Sequence, residues 1–353
     1  MSGTVLIMAG GTGGHIFPGL AVARALHSRD CPVVWLGTPH GLENDLVPAA
    51  GIELERIGIE GIRGRGLPGW VLAPFRIFRA MLEARRILRS RRPACVLSLG
   101  GYAAGPGGLM ARLMGIPLVV HEQNAVAGLT NRILSRLARK SFTGFPGALV
   151  HARFSGNPVR EEIVALDAPD DRYEGRKGPL ELLVIGGSQG ARIFNEILPQ
   201  AMGLLAPELR PKILHQCGRE NEEATQAAYR EAGVEARVEP FVDDMAGAWA
   251  RADLAICRAG ALTVAEIAAA GVASLLVPFP HAVDDHQTAN AHYLVHGGAA
   301  WLMHQPGFTA RSLAEMIKVA RREKLREMAV KARKLARTRA AEEVAEGCLE
   351  VMA

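Results

Sequence analysis

The residues with the clearest chemical potential lie in "VLIMAGGTGGHIFPG", Val5 to Gly19. There Gly10, Gly11, Gly13 and Gly14 flank Thr12, and His15 follows at once. Glycine tolerates positive φ and carries no Cβ, so such a loop lets backbone N–H groups converge on an anion at a helix start. An imidazole beside it has a reference pKa near ~6.5 and exchanges protons at neutral pH without tuning. The same histidine also fits a plain first-turn residue bonded to backbone. Three more loops, "GGYAAGPGG", "GGSQGAR" and "RAGALT", follow apolar runs in the same way. Repetition of the pattern favours ligand binding over tight turns alone.

Two familiar ligand classes fail on the residues. A dinucleotide fingerprint needs a third glycine where Ile16 stands, and an acidic residue after the second strand, where the sequence reads Gly37–Thr38. A nucleoside-triphosphate loop needs Gly-Lys-Ser/Thr where Gly14–His15 stands. No Asp-x-Asp occurs, and the pairs Asp243–Asp244 and Asp284–Asp285 read as turn or cap residues rather than metal ligands. A leaving diphosphate would then be stabilised by backbone dipoles and hydroxyls, without a divalent metal.

These loops need strands behind them and helices in front. "TVLIMA" runs into the first glycines and then into "PGLAVARALHSR", whose Leu20, Ala23 and Leu26 fall at helical spacing, and "CPVVWLG" follows. The pattern restarts at "LELLVIGGSQGARIFNEILPQAM" and continues through "KILHQCG", "RVEPFV", "LAICRAGALTVAEIAAAG" and "ASLLVPF". Apolar strands alternating with helices imply parallel sheets covered on both faces. The expected class is α/β, with two Rossmann-like, doubly wound parallel-sheet domains facing each other across a cleft. The join falls near "FSGNPVR", giving domains 1–158 and 159–335, with 336–353 as a terminal helix returning to the first; the basic tail from Lys331 reads as that helix.

At 353 residues the chain exceeds one typical core. Its 49% hydrophobic and 22% charged content is that of an ordinary globular protein. Five scattered cysteines without a C-x-x-C pair argue against a zinc site or a disulfide framework. The opening residues, with no basic flank before the apolar run, lead us to expect no signal peptide, and no apolar run reaches membrane-span length. A net charge of +5 points to acidic partners: nucleic acid, anionic lipid or phosphorylated ligands.

Taken in order, "GGTGGHIFPGLAVA", "GGYAAGPG", "HEQNAVAGLTNR", "GGSQGAR.FN", "CRAGALTVAEI" and "PFPHAVDDHQTANA" resemble the MurG family of transferases over essentially the whole chain. The resemblance implies a GT-B fold and inverting transfer of GlcNAc from UDP-GlcNAc to the MurNAc 4-hydroxyl of lipid I, giving lipid II for peptidoglycan. It implies no tightly bound cofactor, a peripheral place on the cytoplasmic face of the bacterial inner membrane, and proteins of cell-wall synthesis or division as partners. Matching motifs put the donor at Ser188, at the helix start Ala261, Leu262, Thr263, Val264 and Ala265, and at Glu266, whose carboxylate would take the ribose hydroxyls. Arg160 and Val242 would flank the uracil, and Gln287 would contact sugar hydroxyls. From the first domain Thr12, Gly13, Gly14 and Asn124 would join the site. Tyr102, His121, Asn131, Asn195, Arg258 and Asn290 belong to the same motifs, Arg258 serving equally as a structural ion pair. The family's Arg-Ser-Gly-Ala reads with Ala259 here, so any contact from that hydroxyl is absent.

Inverting transfer needs one base within reach of the acceptor hydroxyl. His15 is the first choice, kept neutral by the positive helix end. Glu122 follows, provided burial raises its pKa; His121 reads as a satisfied core histidine. A lipid-linked acceptor also requires a membrane surface, for which the stretch Leu67 to Pro93 is suited. With Pro74 opening a helix, Ile77, Met81, Ala84 and Leu88 form a core stripe. Phe75, Phe78 and Leu82 form a second beside Arg76, Arg79, Arg86 and Arg89, with Trp70 just before them. A helix buried on both stripes is the competing reading. A UDP-GlcNAc epimerase of the same fold and a non-enzymatic basic binding protein are the alternatives in function; the chain carries no recognised RNA module.

Overall fold

A computed structural model describes residues 3–11, 13–59, 66–187 and 190–352; for 66–73 and 283 it describes backbone only. The chain forms two compact units, one of residues 1–160 with 338–353, the other of 161–337.

The first unit is built on seven strands: β1 (Val5–Met8), β2 (Val33–Gly37), β3 (Glu53–Arg56), β4 (Cys95–Ser98), β5 (Leu118–Glu122), β6 (Lys140–Thr143) and β7 (Arg153–Phe154). They pair in parallel in the order β3-β2-β1-β4-β5-β6-β7. The order reverses between β1 and β4, where Val5 faces Cys95 and Met8 faces Ser98. Strands buried on both faces must be apolar throughout, and "VLIM" is fully buried at every position. One core layer carries Ile16, Leu20, Ala23 and Leu26 of the helix Gly13–His27, together with Val344, Ala345 and Cys348 of the terminal helix Ala340–Glu350. The other carries Ala80, Ala84 and Leu88 of the helix Gly66–Arg91 and Met110 and Ala111 of its neighbour Ala104–Leu113.

The second unit repeats the plan with β8 (Glu181–Ile185), β9 (Lys212–Gln216), β10 (Arg237–Glu239), β11 (Leu254–Cys257), β12 (Ala273–Leu276) and β13 (Ala300–Leu302). Its all-parallel order β10-β9-β8-β11-β12-β13 reverses between β8 and β11. In such sheets ligands bind beyond the carboxyl ends of strands at the reversal point, so each unit presents its glycine loops there.

Two local expectations are corrected. The helix does not open at Pro74 but runs from Gly66 through it to Arg91. An interior proline removes one i→i−4 bond without necessarily ending a helix whose apolar face is packed. The basic tail is two helices, not one. Arg322–Lys334, holding Lys331, buries Leu325, Met328, Ala329 and Ala332 in the second unit, and Ala340–Glu350 packs in the first. The break lets each helix bury its own stripe.

Candidate active site

In the first unit, the carboxyl ends of β1, β4 and β5 bring three motifs together. Gly101 has φ +86, and a Cβ there would lie 2.7 Å from the carbonyl oxygen of Gly10. The first and second glycine loops therefore pack backbone to backbone, which only glycine allows. His15 is the third residue of the helix Gly13–His27 and is half-buried. Its ring stands over Gly100, where a Cβ would meet His15 Cε1 at 3.2 Å and Asn131 Nδ2 at 3.3 Å. Its Nδ1 lies 2.8 Å from Oε1 of Gln123, just past β5. Gln123 Nε2 lies 3.0 Å from His121 Nδ1 and donates to the His121 carbonyl at 3.0 Å. His121 Nε2 sits 2.9 Å from the carbonyl oxygen of Gly156. Burial of His121 pushes its pKa down to about 4, so it is neutral at physiological pH.

Glu122 is also buried, but not in apolar surroundings. Oε1 accepts from the Asn124 backbone at 2.9 Å and its side chain at 3.3 Å; Oε2 accepts from Gly128 N at 3.1 Å and Asn131 Nδ2 at 3.0 Å. The carboxylate thus staples the loop 124–131 onto β5. The expected burial is present, but polar donors rather than an apolar wall surround the group. Asn131 additionally donates to the His121 carbonyl at 3.2 Å and lies 3.3 Å from Ser98 Oγ. Gly13 and Gly14 begin the helix, Tyr102 is exposed on the second loop, and Arg160 stacks over Phe17 at 5.6 Å. Thr12 lies outside the described residues, as does the side chain of Trp70.

Glu43 went unnoticed in the sequence. It is wholly buried, taking Gly11 N at 2.9 Å through Oε2, and Thr38 N at 3.0 Å and Thr38 Oγ1 at 2.7 Å through Oε1. It ties the first glycine loop to the end of β2. At the start of the helix Glu43–Ala49 it reads in sequence as an ordinary complement to the helix dipole. Gln123 likewise gave no signal, since an amide has no chemistry of its own.

In the second unit the corresponding positions gather at the ends of β8, β11 and β12. Gly190 has φ +73 and a Cβ there would lie 1.9 Å from the Cys217 carbonyl oxygen, a carbonyl that also accepts from Asn195 Nδ2 at 3.0 Å. Ser188 lies outside the described residues. The helix Ala261–Ala270 starts after Gly260, which has no side chain to cap it, and Ala261, Leu262 and Thr263 form its first turn, the positive end of the helix. Val264 is buried and Ala265 half-buried. Glu266 is buried rather than solvated and accepts from Trp249 Nε1 at 3.3 Å. Asn290 is fully buried and donates to the Ala259 carbonyl at 3.2 Å, fixing the approach to that helix.

Arg258 departs from the ion-pair reading. Its guanidinium donates to the carbonyls of Val277 at 3.1 Å and Pro278 at 3.0 Å and to Gln305 Oε1 at 2.8 Å. It also stacks between Phe194 and Phe279, at 5.1 and 5.4 Å. Desolvation lowers its pKa, and carbonyl dipoles rather than a carboxylate hold it. Gln287 Oε1 accepts from Phe279 N at 2.9 Å, and Val242 is buried at the end of the β10 segment. Asp244 caps the helix Met245–Arg251 by accepting from Gly247 N at 2.7 Å. Asp284 and Asp285 form a left-handed turn in which Asp285 accepts from Thr288 at 2.7 Å. Among the described residues no three His, Cys, Asp or Glu side chains cluster as a metal site would need.

Two parallel sheets, each reversing beside a glycine loop and a helix start, define the two-domain GT-B class of glycosyltransferases. The glycosyltransferase family 28 N-terminal domain matches residues 5–143 and the family 28 C-terminal domain matches 181–345. The chain is 55% identical to the UDP-N-acetylglucosamine--N-acetylmuramyl-(pentapeptide) pyrophosphoryl-undecaprenol N-acetylglucosamine transferase of Chromohalobacter salexigens, with 98% of this chain and 96% of that one covered. It is 53% identical to the enzyme of the same name from Aromatoleum aromaticum, covering 99% and 98%. The crystal structure of Acinetobacter baumannii MurG is similar at 45% identity and a TM-score of 0.85, with 99% of both chains covered. The chain belongs to the MurG family of N-acetylglucosamine transferases. The glycotransferase of kitacinnamycin shares the fold at 17% identity and a TM-score of 0.70.

Proposed function

We propose that this enzyme transfers GlcNAc from UDP-GlcNAc to the MurNAc 4-hydroxyl of lipid I with inversion, forming lipid II. The observation that carries this reading is identity above half, over nearly the full length, with transferases whose name states that donor and that acceptor. In the step, the acceptor oxygen bonds to the anomeric carbon, the bond from that carbon to the diphosphate oxygen breaks, and UDP leaves. His15 takes the hydroxyl proton on Nε2. The Ala261–Ala270 helix start, with the glycine loop holding Ser188, stabilises the departing diphosphate; Glu266 holds the ribose, and Arg160, Val242, Gln287 and Asn124 complete the donor site. Asn131, Asn195, Asn290 and Arg258 hold the loops that present these groups. The step is written without a resident cofactor; Asp244 caps a helix and Asp285 accepts from Thr288 in a turn. Incubation of labelled UDP-GlcNAc with a lipid I analogue, with and without chelator, is expected to give labelled disaccharide product in both. Label returned as an epimerised sugar nucleotide without acceptor would refute the assignment.

The acceptor's polyprenyl tail places the reaction at a membrane, and the first unit offers the surface. Phe75 is 68% exposed, Phe78 60% and Leu82 40%, while Ala80, Ala84 and Leu88 of the same helix are buried. The second stripe therefore faces solvent, against the doubly buried alternative. Arg76, Arg86 and Arg89 are exposed beside it, and Arg79 is exposed while pairing with Glu83 at 3.0 Å. Leu113, at the end of the neighbouring helix, is also 67% exposed. Among the described residues no helix is long and apolar enough to cross a membrane. We place the enzyme as a peripheral protein of the cytoplasmic face, held by apolar insertion plus roughly ~1 kcal/mol per basic residue. Sedimentation with anionic vesicles should weaken at least about 10-fold in a Phe75→Ser/Phe78→Ser variant, since two aromatic side chains each lose roughly 1.5 kcal/mol or more of burial. Raised salt should weaken it further. Undiminished sedimentation of that variant would exclude this helix as the anchor.

A further inference from the structure

We propose that Gln123 is a positioning residue that sets the tautomer of His15, through a hydrogen-bond chain ending at the Gly156 carbonyl. The inference rests on the reading of His15 as the base.

The chain has only one consistent assignment of protons. The Gly156 carbonyl can only accept, so His121 Nε2, 2.9 Å away, must carry a hydrogen. Neutral His121 then presents a lone pair at Nδ1. Gln123 Nε2, 3.0 Å from that lone pair, donates to it, and the same nitrogen donates to the His121 carbonyl at 3.0 Å. Both amide hydrogens are thereby used and the amide orientation is fixed. Its oxygen is left facing His15 Nδ1 at 2.8 Å. An amide oxygen accepts only, so Nδ1 of His15 must carry a hydrogen, and in the neutral ring the lone pair then lies on Nε2.

The two histidines are therefore held in opposite tautomers, and the base in the one that free histidine disfavours. Without Gln123, His15 would revert towards the Nε2–H form, whose Nε2 cannot take a proton. Burial of Gln123 and His121 makes the constraint strict, because a partner left unsatisfied away from water loses its hydrogen bond without replacement.

The test is nitrogen-15 NMR of histidine-labelled full-length protein, with His15 assigned by its loss in His15→Gln. In the unaltered enzyme, His15 should show a protonated Nδ1 and a lone pair at Nε2, and His121 the reverse. In Gln123→Leu, His15 should move to the Nε2–H form. Turnover scales with the fraction in the competent tautomer, so kcat should fall roughly 5- to 20-fold with KM for UDP-GlcNAc unchanged. An Nε2–H His15 in the unaltered enzyme overturns the proposal without any variant, as does a retained Nδ1–H form in Gln123→Leu. A tautomer shift with undiminished kcat would uphold the chain but overturn His15 as the base.

Discussion

His15→Ala is expected to lower kcat by about 10²–10⁴-fold, the usual contribution of a positioned general base, while KM for UDP-GlcNAc stays within a few-fold. The split follows from where the side chain lies. It belongs to the first unit, in the first turn of Gly13–His27 with Gly100 beneath its ring, whereas the proposed ribose and diphosphate contacts belong to the second unit. Nδ1 is engaged by Gln123, which leaves Nε2 for the substrate. Glu122 is the rival to exclude, and its carboxylate already accepts from Asn124, Gly128 and Asn131. Its removal would orphan those donors and loosen the loop, a loss of stability as well as rate. Steady-state kinetics with both substrates, alongside thermal unfolding, separates the two. A stable His15→Ala enzyme with near-normal kcat would return the role to another group.

Glu266→Ala is expected to raise KM for UDP-GlcNAc by about 100-fold or more and to change kcat far less. A ribose diol held by a carboxylate makes charge-assisted hydrogen bonds worth about 1.5–3 kcal/mol each, and both vanish together. Binding lost equally from ground and transition states appears in KM. The carboxylate is buried, so its position is set by packing rather than by chance on the surface. Its hydrogen bond from Trp249 introduces a structural component, which Trp249→Phe measures separately. A donor analogue lacking the ribose 2′-hydroxyl should bind the unaltered enzyme more weakly and lose clearly less affinity in Glu266→Ala than UDP-GlcNAc does, because only the 3′-hydroxyl bond is left to lose. Equal sensitivity of both nucleotides to the substitution would remove Glu266 from the ribose.

Much of this protein was legible because its chemistry is written in backbone. Continuous apolar runs such as "VLIM" and "LELLVI" can only be strands covered on both faces, and glycines directly after them can only be turns that spare a Cβ. That reading carried two parallel α/β sheets and the positions of their glycine turns, and the motif order carried the family. The paired stripes of the Gly66–Arg91 helix could also be read, since 100° periodicity separates Ala84 and Leu88 from Phe75 and Phe78. Which stripe faced solvent could not, because exposure depends on what packs alongside.

Tertiary structure alone decided the roles of buried polar groups. Glu43, Glu122 and Glu266 are three glutamates near helix starts or strand ends, alike in sequence; folding makes one a loop tie, one a loop staple and one a buried acceptor beside Trp249. Arg258 read equally as a site residue or as one end of an ion pair, and it braces carbonyls, because a guanidinium is satisfied by any convergent oxygens. Gln123 carried no signal until β5 and the first glycine loop brought His121 and His15 to its two ends. A hydrogen bond is fixed by direction and by distances of about 3 Å between residues far apart in the chain, and no local pattern encodes either.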